Sequence, residues 1–195
     1  MARYKTGAEA RAAREARLER QAGETDQAVV INAAARFLEL RSRSVDEVRR
    51  NLTKSAFPAE LVDGAIDRLL AIGLLDDRAY AQAWVESRDR SRPRGEGALR
   101  RELSLKGIDR ETVAAVLGER ADAAEAAAED GDAGNADEVA AEKLIRKNRS
   151  ALSRIADPRA RRSRAYTLLA RNGFDPDVCR EVSARTAALD EGADD

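Results

Sequence analysis

The segment Leu103-Ser104-Leu105-Lys106-Gly107-Ile108-Asp109-Arg110-Glu111-Thr112-Val113 decides how this chain is read. A leucine is followed by a small residue at the fourth position, an apolar residue at the fifth and another at the tenth. The same offsets occur at Leu52, Ala56, Phe57 and Val62, and again at Leu169, Gly173, Phe174 and Cys179. A small residue in front of the central apolar one marks a chain reversal, which Gly107 and Gly173 can make through the left-handed region without a Cβ penalty. Each instance therefore reads as the junction between two helices, and a recurring junction predicts an array of repeated helical units.

Working outward, each junction sits inside a triplet of short helices. In the first, Thr25 or Asp26 caps a helix carrying Val30, Ile31, Ala34, Phe37, Leu38 and Leu40. Ser44-Val45-Asp46-Glu47 has the form of a capping box and opens a helix through Val48 and Leu52. Pro58, at the first helical position, starts a third with Leu61, Val62, Ala65, Ile66, Leu69 and Leu70, which Gly73 ends. The second triplet carries Tyr80, Trp84 and Val85, then Leu99 and Leu103, then Val113, Val116 and Leu117. The third carries Val139, Leu144 and Ile145, then Tyr166 and Leu169 behind Asp157-Pro158, then Val178, Cys179 and Val182 behind Asp175-Pro176. The expected map is a mobile charged tail over 1–24, repeats over 25–75, 76–120 and 137–189, an acidic linker over 121–136 and an acidic tail over 190–195.

Composition supports the fold class and removes functions. Ala, Leu, Arg and Glu dominate and aromatic residues are 4% of the chain, so an all-α protein is expected. With no histidine and one cysteine, Ser-His and Cys-His nucleophile systems, His-containing zinc sites, thiolate cages and internal disulfides are excluded. Gly95-Glu96-Gly97 lacks the Gly-x-x-x-x-Gly-Lys pattern of a phosphate-binding loop. The reading is a cytoplasmic protein with no secretory signal, membrane span, metal or cofactor, and no enzymatic role.

Charge is balanced in sum, 35 basic against 36 acidic residues, and segregated in position. Lys143 to Arg171 holds ten bases and one acid, Arg88 to Arg110 eight bases and four acids, and Gly118 to Glu138 eight acids with Arg120 as the sole base. Faces that only solubilise usually interleave both signs, so the third triplet is expected to meet a polyanion or an acidic protein surface. Arg161, Arg162 and Arg164 lie within one turn and cannot all face a core, so most of them are expected to point outward.

Three stretches, Ser44 to Leu52, Gly73 to Ala81 and Leu99 to Ile108, closely resemble the RecX family of recombinase regulators. The resemblance is specific over Ala28 to Leu117, looser to about Val182, and leaves the acidic linker as an insertion. It implies tandem three-helix, helix-turn-helix-like units in a curved, elongated array that sits in the groove of a RecA filament. The implied activity is non-catalytic restraint of RecA ATPase, strand exchange and co-protease function by a monomer. The implied partners are RecA and single-stranded DNA, with weak binding to double-stranded DNA.

The family supplies no catalytic residue to carry over, so the contact residues come from charge. They are Arg88, Arg90, Arg92, Arg94, Arg100, Arg101 and Lys106 in the second triplet, with Lys143, Arg146, Lys147, Arg149, Arg154, Arg161, Arg162 and Arg164 in the third. Guanidinium groups in an exposed loop can fork onto phosphates or carboxylates. Tyr80 and Trp84 share a helix face and read as core. Tyr166 reads as inward-packed in preference to a base-stacking platform, and Cys179 as a small buried hydrophobe. A rival reading stands beside this one: helix-turn-helix-like modules with basic faces also describe a sequence-nonspecific DNA-binding protein that needs no protein partner.

Overall fold

The computed structural model describes residues 7–128 and 135–186, and within them the regular structure is eleven α-helices. They are α1 (Gly7–Ala22), α2 (Gln27–Glu39), α3 (Val45–Lys54), α4 (Ala59–Ala71), α5 (Asp77–Ser91), α6 (Glu96–Leu105), α7 (Arg110–Ala128), α8 (Ala136–Lys147), α9 (Arg149–Leu152), α10 (Pro158–Arg171) and α11 (Pro176–Arg185). The three triplets are α2–α4, α5–α7 and α8, α10 and α11, with the short α9 as an extra turn. Caps define the helix starts. Asp26, Asn135, Asp157 and Asp175 each accept backbone N–H bonds in the first turn, and Ser44 and Glu47 form the complete capping box.

The recurring junction has a mechanical explanation. Ala56, Gly107 and Gly173 all lie at positive φ, 63°, 78° and 82°. At the first junction the Ala56 N–H donates to the Thr53 carbonyl and the Phe57 N–H to the Leu52 carbonyl. At the third, Gly173 donates to Ala170 and Phe174 to Leu169 in the same way. This is the Schellman arrangement, in which the leucine is the residue whose carbonyl is rescued and the next apolar residue folds back beside it. That apolar residue also precedes the next N-cap, and the residue five further on is the fourth of the new helix, the pairing known as a hydrophobic staple. Phe57 and Val62 share one core and Phe174 and Cys179 another, and Ile108, Val113 and the three leucines are buried as well. One side chain thus closes one helix and aims the next.

Two sequence expectations shift here. Pro58 is the N-cap of α4, with φ −55° and ψ 138°, and Ala59 is the first helical residue. Its extended ψ puts Phe57 in the stapling position. Residues 121–128, read from composition as linker, continue α7, because alanines among the acids favour helix. Residues 129–134 of that linker, the first six residues and the acidic end from 187 onward lie outside the described residues. The part of the N-terminal tail that is described forms α1, which buries none of its residues.

By packing, the chain divides into two compact units. Among the described residues, the first runs through Tyr80 and includes Lys106–Ile108, and the second comprises Ala81–Leu105 and those from Asp109 on. The core of the first unit joins Val30 and Ala34 of α2, Val48 and Leu52 of α3, and Phe57, Val62, Ile66 and Leu69 around α4. The third triplet, within the second unit, packs Ala141, Leu144 and Ile145 of α8 against Ala165 and Leu169 of α10 and Cys179 and Val182 of α11. Tyr166 packs against this core from its edge. Glycine is needed at Gly95 because a Cβ there would strike the backbone of Gly173 and Phe174, whose neighbour Asn172 accepts the Gly95 N–H at 3.1 Å.

Candidate partner and nucleic-acid interface

The fold sorts the basic residues picked out by sequence into those it consumes and those it leaves free. In the first unit, Lys106 is consumed. Its Nζ lies 2.8 Å from Glu47 Oε1, the Ser44 hydroxyl donates to the Lys106 carbonyl at 2.6 Å, and the Tyr80 hydroxyl donates to Glu47 Oε2 at 3.3 Å. Burial raises the Glu47 carboxyl, but the hydrogen bond and field of Lys106, the Ser44 N–H and the more distant Arg41 outweigh it and hold it below the ordinary carboxylate value. Burial, followed by the charge and hydrogen bond of Glu47, pushes the Tyr80 phenol up to about 12.

In the second unit, Glu102 gathers the basic loop inward. Arg88 Nε lies 2.6 Å from its Oε2, Trp84 Nε1 donates to the same oxygen at 2.9 Å, and the Arg94 guanidinium reaches Oε1 at 3.5 Å. The Arg88 guanidinium also stacks 4.4 Å over the Trp84 ring, so the half-buried tryptophan is covered by a cation. Arg94 also hydrogen-bonds Asn172 Oδ1. Arg100 pairs with Glu96 one turn away at 2.6 Å, an exposed pair. Lys147 caps the C-terminal end of α5, donating to the Ser91 carbonyl at 2.7 Å and the Arg90 carbonyl at 3.3 Å.

Arg161 corrects the sequence reading, since it is 2% exposed and its Nε donates to the Ile155 carbonyl at 3.0 Å. Its position explains the burial: Arg161, Ala165 and Leu169 recur every four residues along one face of α10, the face that enters the core. That spacing was present in the sequence and outranks the local density of charge. Arg162 and Arg164, off that face, are exposed.

What stays free is a narrower set. Arg146, Arg149, Arg154, Arg162 and Arg164 of the third triplet, with Arg90, Arg92 and Arg101 of the second, are exposed and make no side-chain hydrogen bond or ion pair among the described residues. Lys143 is half-buried. Such a surface can contact phosphates or carboxylates without first breaking an internal bond.

Sequence reasoning missed the residue that ties the second unit together. Arg120, read as the lone base of an acidic run, is a nearly buried hub. It donates to Asp89 Oδ2 at 2.8 Å, to Asp137 Oδ1 at 2.7 Å and to the Ala136 carbonyl at 3.2 Å, joining α5, α7 and α8. Burial works against its charge, yet the bonds to Asp89 and Asp137 hold the guanidinium above its ordinary value. A solitary arginine among eight acids was the available signal.

Among the described residues no group of three or more His, Cys, Asp or Glu is placed to hold a metal, and no helix is long and apolar enough to cross a membrane. Cys179 is buried, and burial raises its thiol above the ordinary value.

Comparison with known proteins agrees with this architecture. Residues 31–69 match the model of the RecX first three-helix domain and residues 76–117 that of the second. The Regulatory protein RecX of Mycobacterium tuberculosis (strain ATCC 25618 / H37Rv) is 36% identical over 157 residues, covering 78% of this chain and 83% of the relative. The chain belongs to the RecX family. The RecX regulatory protein of Mycobacterium avium (strain 104) is 31% identical over 154 residues, covering 78% of this chain and 82% of its own. The crystal structure of RecX from Lactobacillus salivarius superposes with a TM-score of 0.67 at 20% identity, covering 84% of this chain and 97% of that one, and shares the fold. The two RecX domain models span the first and second triplets, and the longer pairwise matches cover more of the chain than the two domains together.

Proposed function

We propose that this protein is a non-catalytic regulator that binds the RecA recombinase and its filament on single-stranded DNA and restrains ATPase, strand exchange and co-protease activity. Membership in a family of regulatory proteins carries this reading. The set of free arginines supports it: five in the third triplet and three in the second offer guanidinium groups to filament carboxylates or to the DNA backbone. Lys106, Arg88, Arg94 and Arg161, already engaged within the fold, are assigned to structure.

The test is recombinase ATPase on single-stranded DNA with increasing amounts of this protein. Inhibition at or below one copy per recombinase protomer is expected, and an unchanged rate in excess rejects the proposal. A second reading, a DNA-binding protein acting alone, draws on the same arginines. It predicts equal affinity for bare and recombinase-loaded DNA, whereas regulation predicts preference for the loaded form.

A further inference from the structure

Between α8 and α11 the second unit holds an open cavity of about 230 Å³ whose construction differs from the rest of the basic surface. Its floor is aliphatic, made by Ile145 and Val182 with Thr186 beside them, all buried. Its rim is charged. Arg146 and Arg149 stand on one side without any side-chain partner, and Arg185 on the other is held by Glu142 and by Glu181 at 2.6 Å.

We infer that this cavity binds a short acidic peptide segment of a protein partner, seating one aliphatic side chain on the floor while flanking carboxylates pair with Arg146 and Arg149. Size selects the anchor, because the space is below the roughly 300–1,000 Å³ of ordinary small-molecule sites and suits a single side chain. Chemistry selects a peptide over a nucleic acid. Bases on single strands are recognised chiefly by stacking on aromatic side chains, and no aromatic residue lines this cavity. Glu142 on the rim is already paired with Arg185, which leaves Arg146 and Arg149 to take the flanking carboxylates. An apolar centre inside a polar rim is the general anatomy of a peptide-anchoring site.

The inference rests on the proposed partner interface only in sharing Arg146 and Arg149 with it. Its assay contains neither recombinase nor DNA, so failure here and failure of the ATPase test are distinguishable. The probe is a fluorescent peptide, Asp-Glu-Leu-Asp-Glu, titrated into the full chain, together with the same peptide carrying Ser in place of Leu. The leucine peptide is expected to bind and to shift the methyl resonances of Ile145 and Val182. The serine peptide should bind about 10-fold more weakly, since the anchor's apolar burial is lost. The exposed double variant Arg146→Glu/Arg149→Glu should weaken the leucine peptide by about 10-fold or more, and Arg146→Lys/Arg149→Lys should retain most of the binding.

Equal binding of the two peptides would reduce the site to charge attraction and overturn the inference, as would methyl shifts confined to other residues. The chain's own continuation carries Leu189 followed by Asp190 and Glu191, the same chemistry. A chain ended at Thr186 is therefore the last arm. Unchanged affinity supports a partner's segment, and a large gain would assign the cavity to the protein's own end instead.

Discussion

Replacing Gly173 by alanine tests the junction mechanism at its most constrained point. The residue sits at φ 82°, and a Cβ there would lie 2.5 Å from the Ala98 Cβ and 2.7 Å from the Ala98 nitrogen. Two costs combine. The left-handed conformation costs an L-residue about 1–2 kcal/mol, and forcing the α10–α11 turn away from α6 adds about 1–3 kcal/mol of overpacking. Less the roughly 0.5–1 kcal/mol of chain entropy that alanine saves, Gly173→Ala should therefore destabilise by about 1–4.5 kcal/mol. Gly73, at φ 71° with nothing near its Cβ position, isolates the first cost, so Gly73→Ala should lose only up to about 1.5 kcal/mol once the roughly 0.5–1 kcal/mol of chain entropy that alanine saves is subtracted. Ala56 already bears that conformation at φ 63°. Ala56→Gly relieves it against glycine's roughly 0.5–1 kcal/mol of extra chain entropy, for a net gain of up to about 1.5 kcal/mol. Urea unfolding followed by circular dichroism gives the midpoints, and the fluorescence of Trp84 reports the second unit, where Gly173 lies. Equal losses for Gly173→Ala and Gly73→Ala, or a destabilised Ala56→Gly, would refute the reasoning.

Four further outcomes are expected. Arg120→Met leaves Asp89 and Asp137 facing a hydrophobe and should cost about 3 kcal/mol in urea unfolding, whereas Arg100→Met at an exposed pair should cost under about 0.5 kcal/mol; similar losses would contradict the hub. Arg162→Glu/Arg164→Glu should preserve helicity, abolish much of the ATPase inhibition and lower the salt slope of any single-strand binding by about 1.4, at about 0.7 per phosphate contact. Arg161→Ala should instead lower stability by about 1–3 kcal/mol, because the Ile155 carbonyl loses its donor. For Tyr80, raised to about 12, the folded state holds its proton longer than the unfolded chain does. Its contribution is complete below about pH 10 and is lost as pH rises toward 12, and Tyr80→Phe should flatten that alkaline limb of a stability profile.

The triplets were legible because their code is local. A Schellman turn followed by a staple needs a leucine, a small residue and two apolar residues within eleven positions, so Leu103 to Val113 displays the whole device. Capping was legible for the same reason at Ser44 and Asp157. Which basic side chains stay free was legible only in outline, because freedom from internal pairing is decided by distant residues. Arg94 finds Asn172, Lys147 finds the carbonyls of Arg90 and Ser91, and Arg120 finds Asp89, none of them neighbours in sequence. Arg161 was the exception, since helical spacing with Ala165 and Leu169 already placed it inward.

The first compact unit is discontinuous, ending at Tyr80 and gaining Lys106–Ile108 from about 25 residues further on. That late segment carries the Nζ that neutralises Glu47 and the carbonyl that receives the Ser44 hydroxyl. During synthesis, at roughly 5–20 residues per second, the end of α4 leaves the ribosome about 2–7 s before the piece that completes the polar seam of α2, α3 and α4. The nascent first unit must therefore wait with its capping-box glutamate lacking its lysine partner, and a translational pause before Lys106 would lengthen that exposure.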